Sequence, residues 1–210
     1  MAAHVTVSAV ERSPARGYVL VAAGAAMFAL GGNLARYLLD DGVGALRLSQ
    51  LRSAGSLVLL AAALALTRPG LMRIRRADAP QLAFLGICGL ALVHATYYAA
   101  IDRLEIGVAL VIQYMAPLLL LGWLRIRHGR RISRSLWGAV ALSIAGCFLV
   151  VRAYDPGSLD GRGVLYAVGA MVTFAIYMVG SERAGQRYEA TTTVLWAFAF
   201  ASLFWAIVQP

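Results

Sequence analysis

The sequence predicts an all-α protein that crosses a membrane several times. Seven apolar stretches follow one another, separated by short connectors that carry arginines or turn-forming residues. A bilayer core of ~30 Å needs about 20 apolar residues per helix. Hydrocarbon offers backbone amides no partner, so each stretch must satisfy its own hydrogen bonds as a helix. The predicted transmembrane helices are residues 17–38, 46–66, 81–101, 106–124, 136–151, 163–180 and 191–208.

The composition excludes an ordinary soluble domain. Hydrophobic residues make up 60% of the chain and charged residues 14%, and the mean hydropathy is +0.73. Soluble domains have about 45–50% apolar and about 25% charged residues. A soluble protein with seven such helices would have almost nothing to present to water.

The net charge of +9 comes entirely from arginine, because the chain has no lysine. Short loops with an excess of Arg or Lys stay cytoplasmic. The sequence therefore predicts a cytoplasmic N-terminus, with residues 1–16 as a disordered cytoplasmic tail and 102–105 and 152–162 outside. It does not predict a nucleic-acid partner, because the arginines are concentrated in two separate loops and do not form one basic surface. These clusters follow the second and fourth predicted helices: Arg68, Arg73, Arg75 and Arg76, then Arg125, Arg127, Arg130, Arg131 and Arg134.

The residues that enzymes and metal sites need do not cluster. Acidic side chains such as Asp41 and Asp102 fall at turns rather than within a predicted helix. Cys88 and Cys147 lie inside predicted helices, where they read as packing residues, and zinc would require three or four clustered ligands. We therefore expect no enzyme activity, no metal and no cofactor. A retinal photoreceptor is excluded because its Schiff base needs a lysine.

The chain also suggests an internal repeat with opposite orientation. A turn-rich connector at residues 152–162 precedes Gly163, and the segment that follows resembles the one that begins at Gly17. At the same offset, Phe28 and Ala29 match Phe174 and Ala175. Five predicted helices separate the two starts, so the second unit enters the membrane from the other side. That arrangement is typical of inverted-repeat transporters.

Three segments resemble the EamA-type members of the drug/metabolite transporter superfamily. The segment LRLSQLRSAGSLVLL, residues 46–60, is similar to the second helix of that family and carries Arg52 at the family's arginine. YYAAIDRLEIGVALVIQYMAP, residues 97–117, resembles its third-to-fourth hairpin, and LWGAVALSIAGCFLV, residues 136–150, its fifth helix. The resemblance implies a 5+5 inverted-repeat fold, with residues 17–151 as the first five-helix repeat. Residues 163–210 would be the first two helices of an incomplete second repeat.

The resemblance implies a secondary transporter in the bacterial cytoplasmic (inner) membrane. Such a permease or exporter moves a small organic metabolite, for example an amino acid or a drug-like compound, by alternating access. Its partners would be the lipid bilayer and a small-molecule substrate. The resemblance implies a second repeat with three helices more than these 210 residues contain, so we expect that the 210-residue chain alone does not catalyse coupled transport. The alternative function is a non-transporting truncated subunit that needs a homodimer partner or a complementing chain.

Polar residues inside the predicted helices mark a candidate substrate chamber. An ionised side chain at the centre of a membrane helix costs about 2.5–3.5 kcal/mol, so such groups are seldom incidental. Folding neighbouring helices about their turns gathers the polar side chains of four helices in the outer half of the membrane. There a guanidinium can pair with a carboxylate, amides can form hydrogen bonds and tyrosines can stack. The candidate substrate-binding residues are Asn33, Gln50, Arg52, His94, Tyr97, Tyr98, Gln113 and Tyr114.

Structural roles remain open for several of these residues. Arg52 can tie helices together instead of binding substrate, and His94 can be a structural hydrogen-bonding residue. Tyr97 and Tyr98 lie close enough to the predicted membrane surface to belong to an aromatic belt. Pro117 is expected to kink the fourth helix and thereby to shape the pathway.

Overall fold

The computed structural model describes residues 14–128, 135, 137–138, 140–142, 145–146 and 160–209. Helix α1 covers Pro14–Asp40 and α2 covers Ala45–Thr67. Helix α3 runs without interruption through Ala79–Phe84, Leu85–Ala91 and Leu92–Ile101. Helix α4 has two pieces, Ile106–Gln113 and Ala116–His128. Helices α5 and α6 cover Gly161–Gly185 and Ala190–Val208, and two short 3₁₀ turns, Pro69–Met72 and Arg76–Asp78, join α2 to α3.

Five of these helical segments are long and apolar enough to cross a membrane. They are Ala45–Thr67, Arg76–Ile101, Ile106–Arg127, Gly161–Gly185 and Ala190–Val208. The described residues contain no strand. The chain is therefore an all-helical, multi-pass membrane protein, as the sequence predicts.

The described helices correspond to six of the seven predicted ones. Helix α1 contains the predicted span 17–38 and begins three residues earlier, at Pro14, a residue that is favoured in the first turn of a helix. The predicted helix at 136–151 falls mostly on residues outside the described part of the chain, and so does most of the predicted tail. The count of seven transmembrane helices remains a prediction.

Helix α3 lies at the centre of the bundle and contacts α2, α5 and α6. Its middle, Leu85–Ala91, is a π-helical segment, a conformation often found at functional sites. Close packing surrounds this segment. A Cβ atom added to Gly86 would lie 2.5 Å from the carbonyl oxygen of Ala197 in α6, and one added to Gly89 would lie 3.2 Å from Cα of Tyr177 in α5. The glycines therefore allow three helices to approach one another closely, as small residues do in membranes.

Two groups of buried apolar residues hold the bundle together. The first surrounds Tyr98, Ile101 and Leu104, near the turn between α3 and α4. The second surrounds Leu85 and Ala197, next to the π-helical segment. Tyr97 belongs to the first group and Leu90 to the second. Both residues line the cavity described below, so the cavity lies where the two groups meet.

Polar contacts join several helix ends at one edge of the bundle, which we call the hairpin edge. Arg103 at the α3–α4 turn pairs with Asp160 at the start of α5, with Nη1 3.1 Å from Oδ2. The backbone N–H of Arg162 and the Arg103 guanidinium both lower the pKa of Asp160. Arg36 near the end of α1 donates hydrogen bonds to the carbonyl oxygens of Ile101 and Leu104. The end of α1 and the start of α5 therefore lie at the same edge, so the two helices run in opposite directions.

A second network joins helix ends at the opposite edge, which we call the latch edge. Asp78 accepts hydrogen bonds from Arg187 Nη1 and from Tyr188 Oη, both at 2.6 Å. The backbone N–H of Arg75 donates to Tyr188 Oη at 3.1 Å, and Thr192 Oγ1 donates to the carbonyl oxygen of Leu71 at 2.7 Å. These contacts hold the α2–α3 connection against the α5–α6 turn.

Candidate functional site

A cavity of about 300 Å³ lies inside the bundle, and all six described helices contribute to its wall. It contains four of the residues that the sequence identifies as substrate-binding candidates. Its twelve lining residues are Phe28, Gly32, Arg52, Leu90, Val93, His94, Tyr97, Gln113, Phe174, Tyr177, Val194 and Phe198.

Arg52 brings the positive charge to this cavity. Its Nη1 donates a hydrogen bond to Oη of Tyr98 at 3.0 Å, and Gly31 leaves room for the same nitrogen on the α1 side. Tyr98 is only 2% exposed and does not line the cavity, so it orients Arg52 from behind. A guanidinium has five N–H donors, and none of the described lining residues is acidic. The cavity is therefore electrostatically suited to an anionic group.

Three further polar atoms at the cavity are buried and have no hydrogen-bond partner among the described residues. They are His94 Nδ1, Tyr97 Oη and Gln113 Oε1. A buried polar group without a partner costs about 1–3 kcal/mol, which is why such groups are rare. Three of them converge on one cavity that also contains a guanidinium. A ligand with hydrogen-bond donors would satisfy these atoms.

Aromatic rings form much of the remaining wall. Phe28, Tyr97, Phe174, Tyr177 and Phe198 all line the cavity. The His94 ring lies between Tyr98 and Phe198, with ring centroids 6.2 Å and 6.3 Å apart and nearly parallel planes. The cavity therefore combines polar atoms from α2, α3 and α4 with apolar rings contributed mainly by α1, α5 and α6.

None of the cavity residues of α5 and α6 is among the substrate-binding candidates predicted from the sequence. One signal in the sequence could have identified two of them. Phe174 and Phe198 follow Phe28 and Arg52, respectively, by the same 146 residues that separate Gly163 from Gly17. All four of these side chains line the cavity. Positions matched by the internal repeat thus meet at one site.

The other predicted site residues lie outside this cavity. Asn33 is exposed and donates to the carbonyl oxygen of Ala29 at 2.9 Å. Gln50 donates to the carbonyl oxygen of Gln209 at 2.7 Å and accepts from Arg47, so it ties α2 to the end of α6. Tyr114 is 49% exposed, with its ring 6.3 Å from that of Phe174. Asn33 and Gln50 thus have partners of their own, and Tyr98 acts only through Arg52.

Helix α4 is interrupted between Gln113 and Ala116, shortly before Pro117, where the sequence predicts a kink. Pro117 lies in the first turn of the second piece, where its missing N–H removes no helical hydrogen bond. The break comes directly after Gln113, the α4 residue that lines the cavity. Whether Pro117 shapes a substrate pathway remains a prediction.

A larger groove of about 890 Å³ lies between the second piece of α4 and the C-terminal half of α5. Its wall is mainly apolar, with Arg183 and Arg187 at one end, and none of the predicted substrate-binding residues lines it. The smaller cavity is therefore the better candidate for substrate binding, because it holds both the buried charge and the unpaired polar atoms.

Comparison with known proteins assigns the chain to a family. Residues 15–152 match the EamA-like transporter family. Over 130 residues the chain is 24% identical to the uncharacterized inner membrane transporter YicL of Salmonella typhimurium, and this aligned region covers 61% of this chain and 43% of that protein. Over 164 residues it is 27% identical to the threonine/homoserine exporter RhtA of Escherichia coli K12, and that aligned region covers 78% of this chain and 50% of the exporter.

The chain spans about half the length of the curated relatives that it matches. No solved structure matches it. The resemblance inferred from residues 46–60, 97–117 and 136–150 is confirmed by the family match, which includes all three segments. The chain belongs to the EamA-like transporter family, whose members are membrane transporters and not enzymes.

Proposed function

We propose that this chain is part of a secondary transporter that moves a small organic metabolite, such as an amino acid or a drug-like compound, by alternating access. The observation that carries the proposal is the cavity lined by Arg52, His94, Tyr97 and Gln113. A transporter needs a site inside the membrane where polar groups replace the water around its substrate, and this cavity offers such groups. Membership of a transporter family and the names of the relatives point the same way.

The positions of α1 and α5 support an inverted repeat. In such carriers the substrate site lies where the two repeats meet, and one repeat moves against the other around it. The end of α1 and the start of α5 lie at the same edge, and the repeat-matched residues Phe28 and Phe174 both line the cavity. Polar networks at the hairpin edge and at the latch edge give each side a set of contacts that can open in turn.

We further propose that the protein lies in the bacterial inner membrane with its N-terminus and the latch edge in the cytoplasm. The latch edge carries the first arginine cluster, and short arginine-rich loops are retained on that side. Arg75 belongs to both the cluster and the latch network. The hairpin edge would then face the outside.

A second candidate function is a membrane subunit that binds substrate but needs a second copy or a complementing chain for transport. The 210-residue chain spans about half the length of the relatives that it matches. Alternating access requires two repeats that move against each other. We therefore expect that the isolated chain binds its metabolite without accumulating it.

Reconstitution into liposomes tests both candidates. The purified chain is incorporated at several protein densities, and exchange of labelled metabolites across the membrane is compared with binding in detergent. Exchange that depends on the protein supports the transporter. An exchange rate that rises more steeply than in proportion to the protein density indicates that two copies act together. Binding without exchange at any density supports the subunit. Failure to bind or exchange any metabolite in a broad panel would contradict both.

A further inference from the structure

We infer that the cavity is built for a small amphipathic amino acid or hydroxy acid. Its ligand would have one carboxylate, at least one N–H or O–H donor, and an aromatic or similarly large apolar side chain. The inference rests on the proposed function and deepens it, because it names the chemistry of the substrate. It differs from the substrates named for the exporter relative, threonine and homoserine, neither of which has such a side chain.

The carboxylate of the ligand would pair with the guanidinium of Arg52. Among the described lining residues Arg52 is the only cation and no acid is present. Charge-assisted hydrogen bonds from a guanidinium to a carboxylate are short, directional and often bidentate. Tyr98 holds one guanidinium nitrogen at 3.0 Å from behind, which fixes the orientation of the group. A ligand without an anionic end would leave that charge without a counter-ion.

The N–H or O–H donors of the ligand would form hydrogen bonds with the unpaired atoms on α3 and α4. Gln113 Oε1 accepts only, and His94 Nδ1 accepts in the tautomer that carries its proton on Nε2. Both atoms are buried without a partner in the described part of the chain. An ammonium or hydroxyl group next to the carboxylate would donate to them. The lack of an acidic lining residue argues against a ligand that is only a cation.

The large apolar side chain of the ligand would pack against the aromatic rings that line the cavity. Phe28, Phe174, Tyr177 and Phe198 line the cavity, and two of them come from α5, which has no charged residue at the cavity. The repeat position that holds Arg52 in α2 holds Phe198 in α6. Two arginines at these positions would favour a dianion. One arginine and one phenylalanine favour a monoanion with an apolar part, and a cavity of about 300 Å³ limits that part to roughly one ring.

Four probes separate these requirements. L-Phenylalanine has the carboxylate, the ammonium group and the ring. L-Threonine lacks the ring, phenethylamine lacks the carboxylate, and 3-phenylpropionate lacks the donor. Equilibrium dialysis of labelled probes against the purified full chain in detergent should rank L-phenylalanine first, with each of the others at least about tenfold weaker, the size expected for one lost charge-assisted hydrogen bond or buried ring.

A variant tests the aromatic wall separately. Phe198→Ala should weaken L-phenylalanine binding at least about tenfold and weaken L-threonine binding much less, because threonine has no ring to lose. Leu203→Ala, at an exposed position of the same helix, is the matched control and should change neither. If Phe198→Ala does not fold, the ranking of the four probes on the unchanged chain still decides the question.

Three results would overturn the inference: binding of L-threonine, of phenethylamine or of 3-phenylpropionate that is as tight as binding of L-phenylalanine. Its failure can be told apart from failure of the proposed function. Protein-dependent exchange of an unrelated metabolite, with none of the four probes bound, would overturn only the substrate assignment. The expected ranking together with no exchange under any reconstitution condition, including with a complementing chain, would overturn transport and leave the chemistry of the site intact.

Discussion

Gln113 shows at the level of one residue how binding and stability oppose each other. Its side-chain oxygen is buried beside the cavity without a partner among the described residues. We predict that Gln113→Leu stabilises the ligand-free protein by about 1–3 kcal/mol, because the unpaired polar group is removed. The same change should weaken ligand binding, the usual cost of stabilising a functional site. The unfolding temperature, followed by fluorescence of the four tryptophans, and equilibrium dialysis measure the two effects.

Gln186→Leu provides the control for this prediction. Gln186 is exposed and lies outside the cavity, so the same chemical change there should leave both stability and ligand binding nearly unaltered. A Gln113→Leu protein that is less stable than the unchanged chain would show that Gln113 has a structural partner and is not one of the unpaired atoms of the cavity.

At the level of an element, the close packing of the π-helical segment of α3 against α6 depends on the absence of a side chain at Gly86. A methyl group there would lie 2.5 Å from the Ala197 carbonyl oxygen and 2.9 Å from Cβ of Phe200. Both are parts of α6 that cannot give way cheaply, so Gly86→Ala should destabilise the protein by about 1–3 kcal/mol. Gly55→Ala in α2 is the control, since nothing lies within 4 Å of the added atom. Equal unfolding temperatures for the two variants would disprove this account of the packing.

The polar network at the latch edge leads to a second prediction at the level of helices and their connections. Asp78 holds Tyr188, and Tyr188 in turn accepts the backbone N–H of Arg75. Asp78→Asn removes the ion pair with Arg187, so the α2–α3 connection should loosen. Hydrogen–deuterium exchange should show faster exchange of the Arg75 amide. Asp102→Asn, an exposed carboxylate at the other edge, should not change it. An unchanged Arg75 amide in Asp78→Asn would mean that the network does not hold this connection closed.

At the level of the whole molecule, the contacts fix which helix ends share an edge, and the arginines assign those edges to the two sides. We predict that a cysteine at residue 102 is reached from outside the cell and one at residue 70 only from the cytoplasm. Gly70→Cys and Asp102→Cys are compared in a protein without Cys88 and Cys147, using a membrane-impermeant thiol reagent on intact and permeabilised cells. Labelling of Gly70→Cys in intact cells would reverse the assigned orientation.

Much of this organisation could be predicted from the sequence because it follows from hydrophobic length and charge. The helices at 46–66, 81–101, 106–124, 163–180 and 191–208 are present within a few residues of the predicted limits. The break before Pro117 is expected because the ring and the missing N–H of proline fit the first turn of a helix but not its interior. Arg52, His94, Tyr97 and Gln113 line the cavity, and the sequence singles them out because polar groups are costly in hydrocarbon.

The rest depended on contacts that no spacing rule supplies. The roles of Asn33 and Gln50 could not be separated from that of Gln113. The depth of a residue in the membrane does not determine whether its side chain faces the cavity, another helix or the lipid. Asn33 donates to its own helix and Gln50 to the end of α6, a segment 159 residues away. The aromatic wall was missed because phenylalanine in a membrane helix resembles any lipid-facing residue. The π-helical segment was not predicted, and it lies where Gly86 and Gly89 pack closely against α6 and α5, contacts that the sequence does not reveal.

One binding series decides whether the cavity at Arg52 binds the transported metabolite. The affinity of the metabolite that binds most tightly is measured for the unchanged chain, Arg52→Lys, Arg52→Gln and Arg47→Gln, at equal amounts of folded protein. Arg47 lies exposed on the same helix and does not line the cavity. We predict normal binding for Arg47→Gln, a partial loss for Arg52→Lys because an ammonium cannot pair in bidentate fashion, and a loss of about tenfold or more for Arg52→Gln. Binding by Arg52→Gln that equals that of the unchanged chain would contradict the claim and reduce Arg52 to a link between α2 and Tyr98.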